Sequence, residues 1–227
     1  MNKALRLKNL LQDLPKSSRK LDTRVEVSDL DRNYARIYGR HYYDGNRKQG
    51  YGGYYYDGRW VPVAKKIIQK FNIKDGDTVI DIGCAKGFLL HDFTTLLNNI
   101  KCIGIDISLY ALREALKKNN ILYINANASS IPLKNNSVDH TICINSLHNF
   151  LSKEDTIKAI SEIQRITKKN SYLRIAAYKN KSQKAIIDKW ATGGRCYLHV
   201  DEWVELFKDA GYKGYYDWWH PDNEIKL

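Results

Sequence analysis

A carboxylate and two glycines lie at the end of a short apolar stretch that begins at Val79. Three residues separate Gly83 from Gly87, a spacing that lets a ligand approach the backbone and lets a helix begin close to the preceding strand. The spacing differs from GxGxxG, which holds a pyrophosphate, so a dinucleotide site is disfavoured. Asp81 would also repel a pyrophosphate, but it would attract a cationic group.

Polar residues also lie beside the next three apolar stretches. Asp106 comes 23 residues after Gly83, where a carboxylate can accept hydrogen bonds from both hydroxyls of an adenosine ribose. Asn127 and Ala128 follow the third stretch, where a polar side chain can contact the edge of an adenine, and Asp139 precedes the fourth. The order and spacing of these residues indicate a nucleoside-binding site.

These residues need a scaffold that places them at one edge of a sheet, and the hydrophobic pattern predicts such a scaffold. Strands that alternate with helices give βαβ crossovers and a parallel, doubly wound α/β sheet with helices on both faces. We predict strands over residues 77–82, 101–106, 121–124, 140–144, 171–177 and 212–219, and a short seventh over residues 224–227. We predict helices over residues 29–40, 60–71, 87–97, 109–118, 152–167 and 201–210.

The N-terminal part of the chain differs in composition from the rest. Residues 1–24 carry seven basic and two acidic residues. Their leucines suit either a short amphipathic helix or a partly mobile basic arm. Eight of the 16 tyrosines lie between Tyr34 and Tyr56. We therefore predict a basic arm followed by a helical, tyrosine- and glycine-rich cap over residues 1–59, and a ligand-binding domain over residues 60–227.

The composition excludes several classes of protein. No apolar run reaches the roughly 18 residues that a membrane helix needs, and the first residues lack the apolar core of a signal peptide. The four cysteines are far apart and form no CxxC pair, so we expect buried thiols and no metal site. These features predict a cytoplasmic protein without a membrane span. The formal charge of +12 favours an anionic partner.

The motifs together resemble those of the class I S-adenosylmethionine-dependent methyltransferases. The segment VIDIGCAKGF is similar to their glycine motif, Asp106 to their ribose-binding acid, and Asn127-Ala128 to their usual Asp-Ala. The resemblance implies a Rossmann-like sheet of order 3-2-1-4-5-7-6 with an antiparallel last strand, which must be very short in this chain. The segment GYGGYYYDGRWVPVA is also similar to stand-alone bacterial methyltransferases that are associated with surface-polysaccharide biosynthesis.

The resemblance implies S-adenosylmethionine as the cofactor and a site for it at the ends of the strands. The implied cofactor-binding residues are Asp81, Gly83, Ala85, Gly87, Asp106, Ile107, Asn127, Ala128 and Asn145.

The residues expected to serve the methyl acceptor are less clearly marked by sequence motifs. His148 follows the fourth strand, at the strand end that faces the methyl group in this family. Because an imidazole titrates near neutral pH, we predict that His148 is the general base, with a structural or exposed histidine as the alternative. The predicted acceptor contacts are Tyr54 and Arg59 in the cap, Trp60 directly after it, and His199 after the fifth strand.

We predict O-methylation of a small polar acceptor, such as a nucleotide-activated sugar or a precursor of a surface glycan in a capsule or lipopolysaccharide. Arg47, Lys48 and Arg59 can bind the phosphates of such a molecule. The formal charge leaves an RNA or protein methyltransferase as the alternative, although the sequence has neither an Asn/Asp-Pro-Pro-Tyr motif nor a Pro-Cys pair. A third hypothesis is a protein that binds the cofactor without transferring its methyl group.

Overall fold

A parallel β-sheet forms the centre of the protein, whose computed structural model describes residues 5–15 and 27–224. Within these residues the order across the sheet is β1-β8-β6-β5-β2-β3-β4, and β7 pairs with β6 outside that path. Every pair of neighbouring strands is parallel. The strands are β1 (Arg6–Leu7), β2 (Thr78–Ile82), β3 (Lys101–Asp106), β4 (Ile121–Asn125), β5 (Val138–Ile144), β6 (Thr167–Tyr178), β7 (Leu198–His199) and β8 (Tyr215–Trp219).

Helices connect the strands and cover both faces of this sheet. They are α1 (Asp29–Arg36), α2 (Arg40–Asp44), α3 (Val61–Phe71), α4 (Phe88–Leu96), α5 (Leu109–Arg113), α6 (Lys153–Ile166), α7 (Lys181–Trp190), α8 (Val200–Asp209) and α9 (Pro221–Glu224). The expected α/β Rossmann-like architecture is thus confirmed. Among the described helices, none is both long enough and apolar enough to cross a membrane.

Alternation of side chains along the strands divides the hydrophobic core between the two faces. Ile80 and Ile82 of β2 point to one face, where they pack with α6 and α8. Val79 of the same strand points to the other face, which is covered by α3 and α4. Both layers contain fully buried aliphatic and aromatic side chains, so the strands are fixed from both sides.

The sheet edge beyond β6 differs from the predicted order. No antiparallel strand lies between β6 and β8 in the described residues; the two pair directly and in parallel, from Tyr172–Tyr215 to Ala176–Trp219. The predicted short strand from Glu224 is wrong at its first residue, because Glu224 ends α9. Its other residues, 225–227, lie outside the described part of the chain. The chain turns into α9 directly after β8, which leaves no described segment for a hairpin.

The N-terminal segment completes this edge of the sheet. Residues 5–15 form no helix; instead β1 pairs in parallel with β8. Leu10 and Leu11 are 0% and 4% exposed and pack in the core layer of α3 and α4. The amphipathic-helix interpretation is therefore wrong for these residues, because the leucines fill a groove of the core. Residues 1–4 and 16–26 lie outside the described part, and the predicted boundary between residues 59 and 60 stays a prediction.

Several predicted elements have different ends, and three helices, α2, α7 and α9, were not predicted. Helix α5 ends at Arg113, five residues before the predicted end at residue 118, and β6 begins at Thr167, four residues before the predicted start. Helix α7 was not predicted, although Asn180 is a clear N-terminal cap whose side chain accepts a hydrogen bond from the Gln183 N–H at 2.9 Å. The predicted cap of α6 is confirmed, since the Ser152 hydroxyl accepts a hydrogen bond from the Asp155 N–H at 3.1 Å.

The buried leucines of the N-terminal segment give the first testable prediction. Replacing Leu10 by Ala should lower the free energy of unfolding by about 2–5 kcal/mol, because it leaves a cavity in a closed core layer. Denaturant unfolding followed by circular dichroism measures the change. Leu7→Ala is the matched control: Leu7 lies in β1 but is 60% exposed, so its replacement should have an effect of about 0.5 kcal/mol or less. Equal effects of the two substitutions would contradict the observed packing.

Candidate active site

The loop from residue 83 to residue 87 joins β2 to α4 and has an unusual backbone. Gly83, Ala85 and Gly87 have φ angles of +78°, +51° and +73°, a region that favours glycine. A Cβ atom on Gly83 would collide with the Ser146 side chain, and one on Gly87 with the Tyr123 hydroxyl. Both glycines are therefore required by the local packing, as well as by the turn itself.

Two buried carboxylates stand beside this loop. Asp106, at the end of β3, accepts hydrogen bonds from the backbone N–H groups of Ala85 and Ser108, each at 2.8 Å. Burial nevertheless raises its pKa. Burial, and then the charge of Asp106, raises the pKa of Asp81 to about 7. Two carboxyl groups that are costly to ionise here make the site suited to a cationic ligand.

A cavity of about 540 Å³ opens at these strand ends. This volume lies within the range that holds nucleoside-sized molecules. Eight of the nine predicted cofactor residues line the cavity: Asp81, Gly83, Ala85, Asp106, Ile107, Asn127, Ala128 and Asn145. Gly87 is the N-terminal cap of α4, so its contribution is to the shape of the loop. The structure thus brings the predicted residues together, and their binding roles stay predictions.

The tyrosine cap, defined here as residues 27–60, forms a wall of this first cavity. Tyr43 packs against Ala85 and Ala111, and Tyr54 stacks on Phe88 with ring centroids 4.8 Å apart. The cap is held by polar contacts as well. Asp44 accepts hydrogen bonds from Lys86 Nζ at 2.6 and 2.8 Å and from the Tyr110 hydroxyl at 2.6 Å. Tyr56 donates a hydrogen bond to the buried Asp92 at 2.5 Å.

A second cavity, of about 610 Å³, adjoins the first. The residues that line both are Tyr42, Tyr51, Tyr54, Trp60, Phe88, Asn145 and Asn149. The second cavity also has walls from the N-terminal segment, from β6 and β8, and from α7. Because they share these residues, a group bound in one cavity can meet a group bound in the other.

Asn145 stands where the two cavities meet. Its φ is +55°, and its backbone N–H donates a hydrogen bond to the Arg174 carbonyl at 2.7 Å. Its Oδ1 atom is buried without a hydrogen-bond partner in the described structure. A buried acceptor of this kind is costly unless a ligand supplies a donor, and a strained backbone conformation is typical of functional sites.

His148 lines the second cavity, in the short 3₁₀ turn after β5. Its Nδ1 atom accepts a hydrogen bond from the Ala176 N–H at 3.4 Å, and its ring stacks on Tyr197 with centroids 5.0 Å apart. Burial lowers its pKa to about 4. A neutral ring whose Nδ1 accepts carries its proton on Nε2, which is then a donor. The base role stays a prediction, and it requires the Ala176 contact to break first.

The predicted acceptor contacts lie in different places. Tyr54 and Trp60 line both cavities. Arg59 lines the second, where it forms a two-pronged ion pair with Asp57. His199 lines neither cavity: its Nδ1 atom accepts the Asp201 N–H at 3.3 Å and caps α8, while Nε2 contacts the Lys179 carbonyl. The structure therefore does not bring His199 to the site, because its ring is used as a helix cap.

Sequence reasoning missed one charged residue of the second cavity. Arg174 lies on the buried strand β6, is 6% exposed, and lines the cavity. A signal was present, because an arginine within the apolar stretch from Tyr172 to Ala177 is rare in a buried strand. In the described part of the chain, no cluster of three or more His, Cys, Asp or Glu residues is arranged to hold a metal ion.

Comparison with known proteins agrees with this geometry. Residues 80–175 match the model of a methyltransferase domain family. The chain is 41% identical over 106 residues to MJ1252, an uncharacterized protein of Methanocaldococcus jannaschii, in a match that covers 47% of this chain and 38% of the relative. The chain thus spans less than half the length of this curated relative.

Two solved structures share the fold at low sequence identity. The YcgJ protein from Bacillus subtilis has a TM-score of 0.55 and 19% identity, over 65% of this chain and 66% of that one. A SAM-dependent methyltransferase from Methanosarcina mazei has a TM-score of 0.51 and 20% identity, over 63% and 82%.

Residues 80–175 therefore match a methyltransferase domain, and they form most of a parallel sheet typical of class I methyltransferases. The comparisons give no support for a link to surface polysaccharides.

The raised pKa of Asp81 gives a prediction about cofactor binding. The ammonium group of S-adenosylmethionine should favour ionised Asp81, so the Kd should fall by up to about tenfold between about pH 6 and about pH 7, and level off above that. Titration calorimetry at several pH values measures this. Asp81→Asn should bind more weakly and lose this pH dependence, whereas Asp188→Asn, on the surface of α7, should keep it.

The raised pKa of Asp81 also has a consequence for the stability of the fold. The pKa of Asp81 is higher in the folded than in the unfolded chain, so stability is lost as the pH rises from about 4 to about 7. The ligand-free Asp81→Asn protein should therefore unfold at a higher temperature than the wild type at neutral pH. A lower unfolding temperature would contradict the assigned burial cost.

Proposed function

We propose that this protein transfers the methyl group of S-adenosylmethionine (EC 2.1.1.-) to an oxygen of a small polar acceptor, such as a nucleotide-activated sugar or another glycan precursor. The observation that carries this proposal is the pair of adjoining cavities, which share Asn145, Tyr54 and Trp60. The first is lined by the acidic and glycine residues of the methyltransferase motifs. The second is bounded largely by aromatic rings and arginine, as suits a sugar or a nucleotide.

The first cavity fits the donor. Asp81 can bind the ammonium group of its amino-acid tail, and Asp106 the ribose hydroxyls. Asn127 and Ala128 border the same cavity, where an adenine can lie between them and Ile107. When bound, S-adenosylmethionine supplies an electrophilic methyl group on a positively charged sulfur. The protein's main task is then to hold the acceptor in line with that group, an effect that supplies several kcal/mol.

Asn145 and His148 are the polar side chains best placed to hold the acceptor. The Asn145 Oδ1 atom can accept a hydrogen bond from the acceptor hydroxyl. The His148 Nε2–H group can donate one to the acceptor oxygen, since Nδ1 already accepts the Ala176 N–H. In this arrangement His148 would orient the oxygen, and the hydroxyl proton would pass to water as the new oxygen–methyl bond forms and the methyl–sulfur bond breaks.

A matched pair of substitutions distinguishes orientation by His148 from general-base catalysis. Gln can place an N–H donor near the position of Nε2, but it cannot accept a proton. If His148 orients the acceptor, the kcat/KM of His148→Gln should stay within about tenfold of the wild-type value. The kcat/KM of His148→Ala should then be lower than that of His148→Gln, because Ala offers no N–H donor. If His148 is the base, both should lose about 10²- to 10⁴-fold.

The pH dependence of the same variants gives a second readout. Because the pKa of His148 is lowered to about 4, its protonation cannot shape the activity profile of the wild type near neutral pH. We expect His148→Gln to keep the shape of the wild-type profile there. The wild-type kcat/KM could instead change with pH near neutrality while that of His148→Gln does not. This result would show that His148 titrates during turnover.

The acceptor class is tested by mass spectrometry of candidate sugar nucleotides and sugar phosphates incubated with the enzyme and S-adenosylmethionine. We expect a product in which one methyl group replaces a hydrogen. A salt series of RNA binding runs beside it, because the charge of +12 would support an RNA substrate only if binding persisted at physiological salt. RNA methylation with no methylated sugar product would overturn the proposed acceptor class.

A further inference from the structure

We propose that Tyr38 is a strap across the first cavity, and that its release from the loop after α7 controls the entry and exit of S-adenosylmethionine. This inference rests on the proposed binding of that donor in the first cavity, and it does not depend on the acceptor. It is carried by the contacts at the two ends of Tyr38, by its backbone conformation, and by a second contact between α1 and the same loop.

Tyr38 joins two walls of the first cavity, which it also lines. At one end its backbone carbonyl accepts a hydrogen bond from the Ser108 hydroxyl at 2.5 Å. Ser108 caps α5 and comes two residues after Asp106 at the end of β3. At the other end the Tyr38 hydroxyl donates a hydrogen bond to the Gly193 carbonyl, in the loop after α7, at 3.3 Å. Tyr38 therefore connects the β3 side of the cavity to the α7 side.

The ring of Tyr38 packs closely against this loop. A Cβ atom on Gly193 would lie 3.2 Å from Cε1 of Tyr38 and 3.4 Å from Cε2 of Tyr42. The rings of Tyr38 and Tyr42 meet edge to face, with centroids 5.1 Å apart. Burial raises the pKa of Tyr38 to about 12, so its hydroxyl keeps the proton that it donates to the loop at neutral pH. The strap is thus closed in this structure.

The backbone of Tyr38 opposes this closed arrangement. Its φ is +51°, in the left-handed region that bulky residues rarely adopt. Tyr38 lies in the three-residue link between Arg36, which ends α1, and Arg40, which begins α2. A conformation of this kind persists only where surrounding contacts hold it, and it is typical of segments that switch. Loss of the contact with the loop would let the link relax.

A second contact ties α1 to the same loop. The Nη1 atom of Arg32 donates a hydrogen bond to the Ala191 carbonyl at 2.6 Å. Arg32 lines neither cavity, so it can affect a bound ligand only through the position of α1. Arg32 and Tyr38 therefore hold the α1 segment against the loop at two points.

The loop is the fixed partner of this pair. The N–H groups of Arg195 and Cys196 both donate to the His148 carbonyl, at 3.0 and 2.9 Å. The loop is thus tied to the turn after β5, and it also borders the second cavity. The α1 side, which is held by two hydrogen bonds and a strained link, is the side that we expect to move.

Opening of the strap has a characteristic effect on ligand exchange. A strap anchored on two walls narrows the opening through which an elongated molecule such as S-adenosylmethionine must pass. If the ligand enters and leaves only while the strap is open, both rate constants are reduced by the fraction of time for which it is closed. The Kd does not change when the strap closes equally well with and without the ligand.

The test measures the association and dissociation rate constants of S-adenosylhomocysteine, the co-product of methyl transfer, by surface plasmon resonance on the full chain. Tyr38→Phe keeps the ring and removes the hydroxyl. It should raise both rate constants by about 3- to 10-fold and leave the Kd within about twofold, because one hydrogen bond of the closed form is lost. Arg32→Gln should have the same effect on both rate constants.

Two matched controls lie in the same part of the cap. Tyr34→Phe removes a hydroxyl from α1, and Arg40→Gln removes a positive charge from α2. Neither residue lines a cavity, so both variants should keep both rate constants within about twofold of the wild type. Circular dichroism confirms that each variant is folded.

A direct ligand contact would give a different result. If the Tyr38 hydroxyl only bound the ligand, Tyr38→Phe would speed dissociation alone, and Arg32→Gln would change neither rate constant. That outcome overturns the strap. If one of these two variants does not fold, the other decides, since an unchanged association rate constant in either overturns the proposal.

The same measurements keep the strap separate from the proposed function. Faster exchange in both variants, without any methylated product from the acceptor panel, would support the strap and overturn the proposed methyl transfer. Methylated product together with unchanged exchange in both variants would support the enzyme and overturn the strap.

Discussion

The hydrogen bond from the Ala85 N–H to Asp106 fixes the turn on which the rest of the site depends. Ala85 adopts a left-handed conformation that costs a residue with a Cβ atom about 1–2 kcal/mol. A hydrogen bond to a charged, buried acceptor contributes about 1.5–3 kcal/mol, enough to offset that cost. The same turn directs the next residue, Lys86, to Asp44 of the cap. One local geometry thus shapes the first cavity and also anchors the wall that covers it.

The electrostatics of the ligand-free site follow from the same turn. It brings Asp81 and Asp106 into one buried region, and burial together with their mutual repulsion makes the ionisation of Asp81 costly. A folded chain gains nothing from this arrangement, because two buried like charges destabilise it. A cationic ligand removes the cost when it binds. The stability that these two carboxyl groups cost the fold is therefore available as binding free energy for a cationic ligand.

Local features of the sequence were sufficient to place the residues of the first cavity, whereas the second cavity depends on long-range packing. Asp81 and Asp106 could be placed because each lies at or next to the end of a strand whose apolar pattern is clear, and parallel strands bring such ends together. His199 also follows a predicted strand, but its role was decided by α8, which its ring caps. Leu10 gave a helical pattern, yet pairing of β1 with the distant β8 determined its place. Helix α7, a wall of the second cavity, was missed even though its buried residues Ile186, Ile187 and Trp190 have helical spacing.

The formal charge of +12 and the buried charge of Arg174 act on their surroundings in different ways. Some of the surface charges belong to exposed ion pairs such as Lys153–Glu202 and Lys184–Asp188. Such pairs contribute about 1 kcal/mol or less, and salt screens them. Arg174 lies where water is largely excluded, so the same unit of charge acts at a lower dielectric and over a shorter distance. The place where a charge is buried therefore decides how strongly it acts on its surroundings, and a count of basic residues does not show this.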